Sequence, residues 1–242
     1  MASTSETGHA KNIANFQSLI SFATSYGSAY NPSKPTLQLN ALNALKLSAE
    51  AALADVLTKN TLYSSKVNER VNAFSDLKTL STRLLNALQA TLANTATIND
   101  AKIFNRKIQG KRASTAKTST GSATEAPKTI STSQLSYDQQ IQHLLGLKTV
   151  LESEPSYAPN EMELKISTLN TKIVDLYEKN SAVSVAYAAL SNSRIARNKI
   201  LYADENGIFE TANDVKKYIK SVFGSDSPQF AQIKGLEFKK HL

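Results

Sequence analysis

Cysteine is absent from this chain of 242 residues, which excludes a disulfide framework, a thiol nucleophile and a thiolate metal site. Histidine is scarce too, occurring at His9, His143 and His241. A three-histidine zinc site would need both termini to fold back on the middle of the chain, so neither a metal nor a cofactor is expected. His143, between Ile141 and Leu144, has no fixed acidic partner in the sequence and reads as a structural histidine rather than a catalytic base. No Gly-x-Gly-x-x-Gly, P-loop or Gly-x-Ser-x-Gly element is present, so phosphate-cradling loops and a hydrolase elbow are unsupported. No apolar run approaches the ~20 residues of a membrane-spanning helix, and Met1 to Asn12 lacks the basic and apolar blocks of a secretory signal. The expectation is a soluble cytoplasmic protein with no membrane span. Strand signals are nearly missing as well.

What the chain does have is internal similarity. Tyr30-Asn31-Pro32-Ser33 recurs as Tyr157-Ala158-Pro159-Asn160. After it, Leu37, Leu39, Leu42 and Leu47 align with Leu164, Ile166, Leu169 and Val174. Upstream, Phe16, Leu19, Ile20, Phe22 and Tyr26 match Ile141, Leu144, Leu145, Leu147 and Leu151 at a slightly different offset. Phe104, Ile108 and Gly110 parallel Phe230, Ile233 and Gly235. Apolar spacing and turn punctuation repeat, while no reactive constellation does. This predicts a flexible N-terminus over 1–12, a helical repeat over 13–112 and a second over 135–242. Between them, 113–134 is rich in Ser, Thr, Ala and Lys with Ile130 as its one large apolar residue, and reads as a flexible linker.

The repeats read as helix. From Thr36 to Gln109 there is neither glycine nor proline, and Leu39, Leu42, Leu53, Val56 and Leu57 fall at helical spacing. One helix of that span would be ~110 Å long at 1.5 Å per residue, so breaks are expected near Lys59-Asn60-Thr61 and across Asn94 to Asn99, with a bend at Ser75-Asp76. In the second repeat helices are expected over 136–153, 161–202 and 211–223. Asn160 would cap the second of these, and Thr211 with Asp214 would form a capping box on the third. Gly224 ends that helix and Pro228 starts a last short one. The fold class expected is all-α: two tandem copies of an antiparallel three- or four-helix bundle, packed with pseudo-twofold symmetry.

Toward the C-terminus, Ser221-Val222-Phe223-Gly224-Ser225-Asp226-Ser227-Pro228-Gln229-Phe230, continuing through Gln232-Ile233 and Gly235-Leu236 to Phe238, resembles the closing stretch of an uncharacterised bacterial family of internally duplicated helical proteins. The opening Gly8-His9-Ala10-Lys11-Asn12 with Asn15-Phe16 is similar to the start of such proteins. The resemblance implies helical bundles and a bacterial source, and carries no activity or site residue.

Charge gives the strongest functional hint. Residues 1–112 hold 13 Lys or Arg against 6 Asp or Glu, whereas 135–242 hold 13 of each. Lys102, Arg106, Lys107, Lys111 and Arg112 cluster at the end of the first repeat, a surface that could attract a phosphate backbone or another acidic partner. A solvated basic face is the competing account. Asp204-Glu205-Asn206-Gly207 fails as a calcium loop, because Tyr202 and Asn213 would fall where carboxylates are needed, and reads as a turn. Glu152/Glu154 and Glu161/Glu163 lie near predicted helix ends, where they complement helix dipoles. The reading expected from sequence is a non-catalytic interaction or scaffold protein acting on a protein partner. Nucleic-acid association through the basic cluster is the alternative. A membrane-inserting bundle has no long apolar hairpin to support it.

Overall fold

An uninterrupted supply of Ala, Leu and long polar side chains leaves helix as the backbone's main option, and every regular element among the described residues is helical. The computed structural model describes residues 4–110 and 135–240. In chain order the helices are α1 (Thr4–Ser25), α2 (Leu39–Phe74), α3 (Leu77–Gln89), α4 (Thr95–Gln109), α5 (Tyr137–Glu152), α6 (Ile166–Tyr202), α7 (Ile208–Phe223) and α8 (Pro228–Lys234). Short 3-10 turns at Pro35–Leu37 and Met162–Leu164 precede the two longest helices.

Those two helices are the matched pair of the chain, 36 residues in α2 and 37 in α6. Each is entered by the same device. The Tyr30 hydroxyl donates to the Leu37 carbonyl at 2.7 Å, and the Tyr157 hydroxyl to the Leu164 carbonyl at 2.9 Å, each closing a loop on a buried leucine. Burial raises the pKa of both phenols, that of Tyr157 to about 12, so both remain neutral donors. Along α2 the inward positions Leu42, Ala49 and Val56 are seven residues apart and lead to half-buried Tyr63 and Arg70. Along α6 the same step runs through Leu169, Leu176, Val183, Leu190 and Arg197, all buried. A seven-residue period is the mark of a narrow helix-packing seam, and both seams end on an arginine.

The chain divides into two compact units. One joins the residues up to Tyr63 with those from Ala186 onward; the other runs from Ser64 to Val185. In the first, Ile13, Phe16, Leu19, Leu42 and Ala49 share a core with Leu201, Ile208, Ala212, Val215, Ile219 and Ile233. In the second, Phe74, Leu77, Leu84, Leu88, Ala101 and Ile108 share a core with Ile141, Leu144, Leu147, Leu164, Leu169 and Leu176. Each core therefore combines the first part of one sequence repeat with the last part of the other. This division differs from the one expected along the chain, 13–112 against 135–242.

Helices α3 and α7 are counterparts within these cores. Leu77, Ser81, Leu84 and Leu88 are buried on α3, and Ile208, Ala212, Val215 and Ile219 are buried at the same spacing on α7. In that register Arg83 corresponds to Asp214. Each meets a side chain from the Tyr-led loop of its own unit, with the polarity reversed. Lys34 Nζ sits 2.8 Å from Asp214 Oδ2, whereas the Arg83 guanidinium pairs with the Glu163 carboxylate. Lys34 holds the Asp214 carboxyl below the usual carboxylate range.

Several local expectations need correction. Among the described residues the expected tail is helical from Thr4, and both His9 and Asn12 are buried. α2 does not break at Lys59-Asn60-Thr61: the Thr58 and Thr61 hydroxyls donate back to the Ala54 and Leu57 carbonyls at 3.0 Å each, so the β-branched pair sits inside the helix. Asn94, not a break spread to Asn99, caps α4 by accepting from the Thr97 N–H at 2.9 Å. Asn160 caps nothing, since a 3-10 turn intervenes and α6 starts at Ile166. α7 starts three residues earlier than expected, with Gly207 as its N-cap and Thr211 buried inside it. The chain does turn at Ser75-Asp76, α7 ends at Gly224, and Pro228 opens α8. The linker 113–134 and His241 lie outside the described residues.

Candidate functional site

Of the predicted cationic cluster, Lys102, Arg106 and Lys107 fall on α4, while Lys111 and Arg112 lie outside the described residues. α4 is oriented by its other face. Ala101 and Ile108 are fully buried, and Phe104 packs against the same core. The approach is close at α5, where a Cβ on Gly146 would come within 2.2 Å of the Phe104 ring and would have to displace it. Phe104 is thus partly buried and packed against its core, as Phe230 is against the core of the other unit.

With that face buried, Lys102 and Arg106, four residues apart, share the exposed side of α4. Neither they nor Lys107 forms an ion pair among the described residues. Together with Leu85, Asn99, Ile103 and Asn105, Lys102 and Arg106 line a groove of about 350 Å³. Lys107, also exposed, lies 5.8 Å from the Phe104 ring centroid. Burial first, and the Lys107 charge second, lower the pKa of His143 on α5. His143 is itself buried and its Nε2 has no hydrogen-bond partner, which suits a neutral core imidazole.

A second feature is apolar. Among the described residues, most of the exposed large apolar side chains are on α2 and α6. On α2, Leu47, Ala51, Ala54, Thr58 and Leu62 are all exposed and fall within about 80° of one another at 100° per residue. Leu47 is 60% and Leu62 44% exposed, and Leu57 at 68% flanks them. No charged side chain interrupts the row. On α6, Val174, Val185, Tyr187 and Ile195 are exposed as well.

The remaining polar clusters do structural work. In one unit the His9 Nδ1 and Tyr202 hydroxyl share a 2.6 Å hydrogen bond, and Asn12 donates to Tyr202 at 3.2 Å. Asn12 also grips the chain end, donating to the Lys239 carbonyl at 2.7 Å and accepting from its N–H at 3.1 Å. In the other unit Arg70 lies 4.0 Å over the Tyr137 ring and donates to Asn180 at 3.1 Å. Glu152 pairs with Lys148 at 2.8 Å and Glu154 accepts from the Ser156 N–H and hydroxyl, both locally, while Glu163 pairs with the distant Arg83. No group of three metal-capable side chains occurs among the described residues, and none of their helices is long and apolar enough to cross a membrane.

The apolar row on α2 was readable in the sequence only as surplus Leu and Ala on a long helix, since nothing there said which face the core would leave uncovered. The His9–Asn12–Tyr202 cluster carried no local signal, because its members lie about 190 residues apart. Comparison of the chain with protein-family models, with curated proteins and with solved structures finds no match to any of them.

Proposed function

We propose that this chain is a non-catalytic helical interaction or scaffold protein, built by internal duplication, and that the uncharged exposed row on α2 is its contact surface. The observation that carries this reading is the alignment of Leu47, Ala51, Ala54, Thr58 and Leu62 on one exposed side of a single helix. Isolated surface leucines need no explanation, whereas an aligned apolar row with no charge in it is what a partner helix packs against. The matched Tyr-led loops, the two seven-residue seams and the common register of α3 and α7 support the duplication.

The alternative, nucleic-acid association, is favoured by one observation: Lys102 and Arg106 are exposed, unpaired with any described carboxylate, and line one groove. One set of variants separates the readings. In a pull-down at near-physiological salt, wild type and Lys102→Ala/Arg106→Ala/Lys107→Ala retain a protein partner, while Leu47→Glu/Leu62→Glu loses it by at least ~10-fold, as expected for a charge buried in an apolar contact. If the double variant keeps the wild-type partners, the α2 surface is not the contact. For the alternative, the triple variant would lower the slope of log affinity against log salt by up to ~3, at about 0.9 per phosphate contact. Flat, negligible nucleic-acid binding by wild type removes it.

A further inference from the structure

The two units are near-twins at the contact between the Tyr-led loop and its facing helix, and one of them lacks a side chain that the other has. In the unit containing α7, Tyr218 stands edge-to-face on Tyr30, ring centroids 5.3 Å apart and planes at 90°. Its hydroxyl oxygen accepts the Asn31 backbone N–H at 3.1 Å. In the shared register of α3 and α7, the counterpart of Tyr218 on α3 is Ala87. There the side chain stops at a methyl group, and a recess of about 430 Å³ opens beside Tyr157, the counterpart of Tyr30.

The recess repeats the surroundings that hold the Tyr218 ring. Tyr157 supplies the aromatic wall. Ala158, the counterpart of Asn31, lines it too, and its backbone N–H has no acceptor among the described residues. Ala87 and Ala90 give a small apolar floor, and Arg83 and Glu161 flank it. We propose that this recess is a binding site for a phenol, seated as Tyr218 is seated in the twin: ring edge-to-face on Tyr157, oxygen accepting the Ala158 N–H. The occupant is defined by the chain's own example, a phenol on the same wall with the same backbone donor. An edge-to-face aromatic pair adds to binding beyond its buried area, and a backbone N–H without a protein acceptor favours an oxygen over a bare hydrocarbon. This site is independent of the α2 contact surface.

The test is a titration of the full chain with p-cresol, followed through the Ala158 amide and the Ala87 methyl by NMR, with toluene as the oxygen-free comparison. The expected result is saturable shifts at both positions with p-cresol and at least ~10-fold weaker binding of toluene. Ala87→Tyr, which installs the side chain the twin already has, is expected to abolish the shift at Ala158. Tyr218→Ala is expected to open the same recess in the other unit and to create a new p-cresol response at the Asn31 amide. N-acetyl-tyrosinamide distinguishes the source of the phenol: binding as tight as that of p-cresol points to a tyrosine side chain of a partner, and weaker binding to a free phenol. Absence of a saturable shift in wild type, or its persistence in Ala87→Tyr, overturns the proposal. If Ala87→Tyr does not fold, a Tyr218→Ala protein that gains no response at Asn31 overturns it equally.

Discussion

Replacing Phe16 with alanine is expected to cost ~3–5 kcal/mol, the usual range for deleting a fully buried aromatic ring and leaving a cavity. For a chain of this size that is a fall in Tm of roughly 6–20 °C. Where the loss registers matters more than its size. Phe16 on α1 shares its core with Ala212, Val215, Ile219 and Ile233, far downstream in sequence. Hydrogen exchange in Phe16→Ala should therefore accelerate in α7 and α8 as well as in α1. Amides of α3, α4 and α5, whose core is a separate one, should keep most of their protection. Sequential bundles would show the reverse, with α3 and α4 weakened and α7 untouched.

The second large effect is expected at Gly207, where α6 hands over to α7. Its φ of −72° is open to any residue, so the demand for glycine there is one of space. A Cβ would lie 2.6 Å from the Ala203 nitrogen and 2.7 Å from its carbonyl oxygen. Both are fixed, the nitrogen bonded to the Lys199 carbonyl and the oxygen accepting the Gly207 N–H, each at 3.1 Å. The clash is with backbone, so no rotamer relieves it. Gly207→Ala is expected to destabilise by ~1–3 kcal/mol, the typical cost of overpacking, read as a lower denaturant midpoint with an unchanged slope. Gly235→Ala is the control: its φ is −80° and nothing lies within 4 Å of the added carbon, so its midpoint should stay close to wild type.

Helix content and most helix ends were legible in the sequence because they depend on local chemistry. The stretch from Thr36 to Gln109 without glycine or proline, Gly224 and Pro228 all act within a turn or two of themselves. The misjudged positions are those where a longer-range contact overrides local propensity. Ser, Thr and Gly made Met1 to Asn12 look like a tail, yet His9 and Asn12 are held by Tyr202 and the Lys239 backbone. Thr58 and Thr61 weaken a helix in isolation, but the seam through Ala49, Val56 and Tyr63 keeps α2 continuous.

Similar apolar spacing at two places along the chain was also legible, whereas the way those segments pair was not. Such similarity cannot say whether a segment closes on its sequence neighbour or on a distant one. Polar detail distinguishes the two. Lys34 meets Asp214, and Arg83 meets Glu163. Closing the first segment on itself would set Lys34 against Arg83, like charges in place of the Lys34–Asp214 pair. Exposed pairs of this kind contribute ~1 kcal/mol or less each, enough to bias a choice between arrangements with equivalent cores. The candidate surfaces followed the same division. Lys102, Arg106 and Lys107 were visible as a charge run, but the α2 row and the recess at Ala87 exist only by virtue of what packs, or fails to pack, against them.

The most direct test of the crossed arrangement is to insert a specific protease site between residues 113 and 134, cut the folded chain there, and compare the pieces together and apart. The two pieces are predicted to stay together in native buffer and to keep native hydrogen-exchange protection in both cores. Once separated in denaturant and returned singly to buffer, each should lack native hydrogen-exchange protection, and mixing should restore it. Two pieces that each refold alone, with their own cooperative transitions, would show that each repeat closes on itself and would contradict the account.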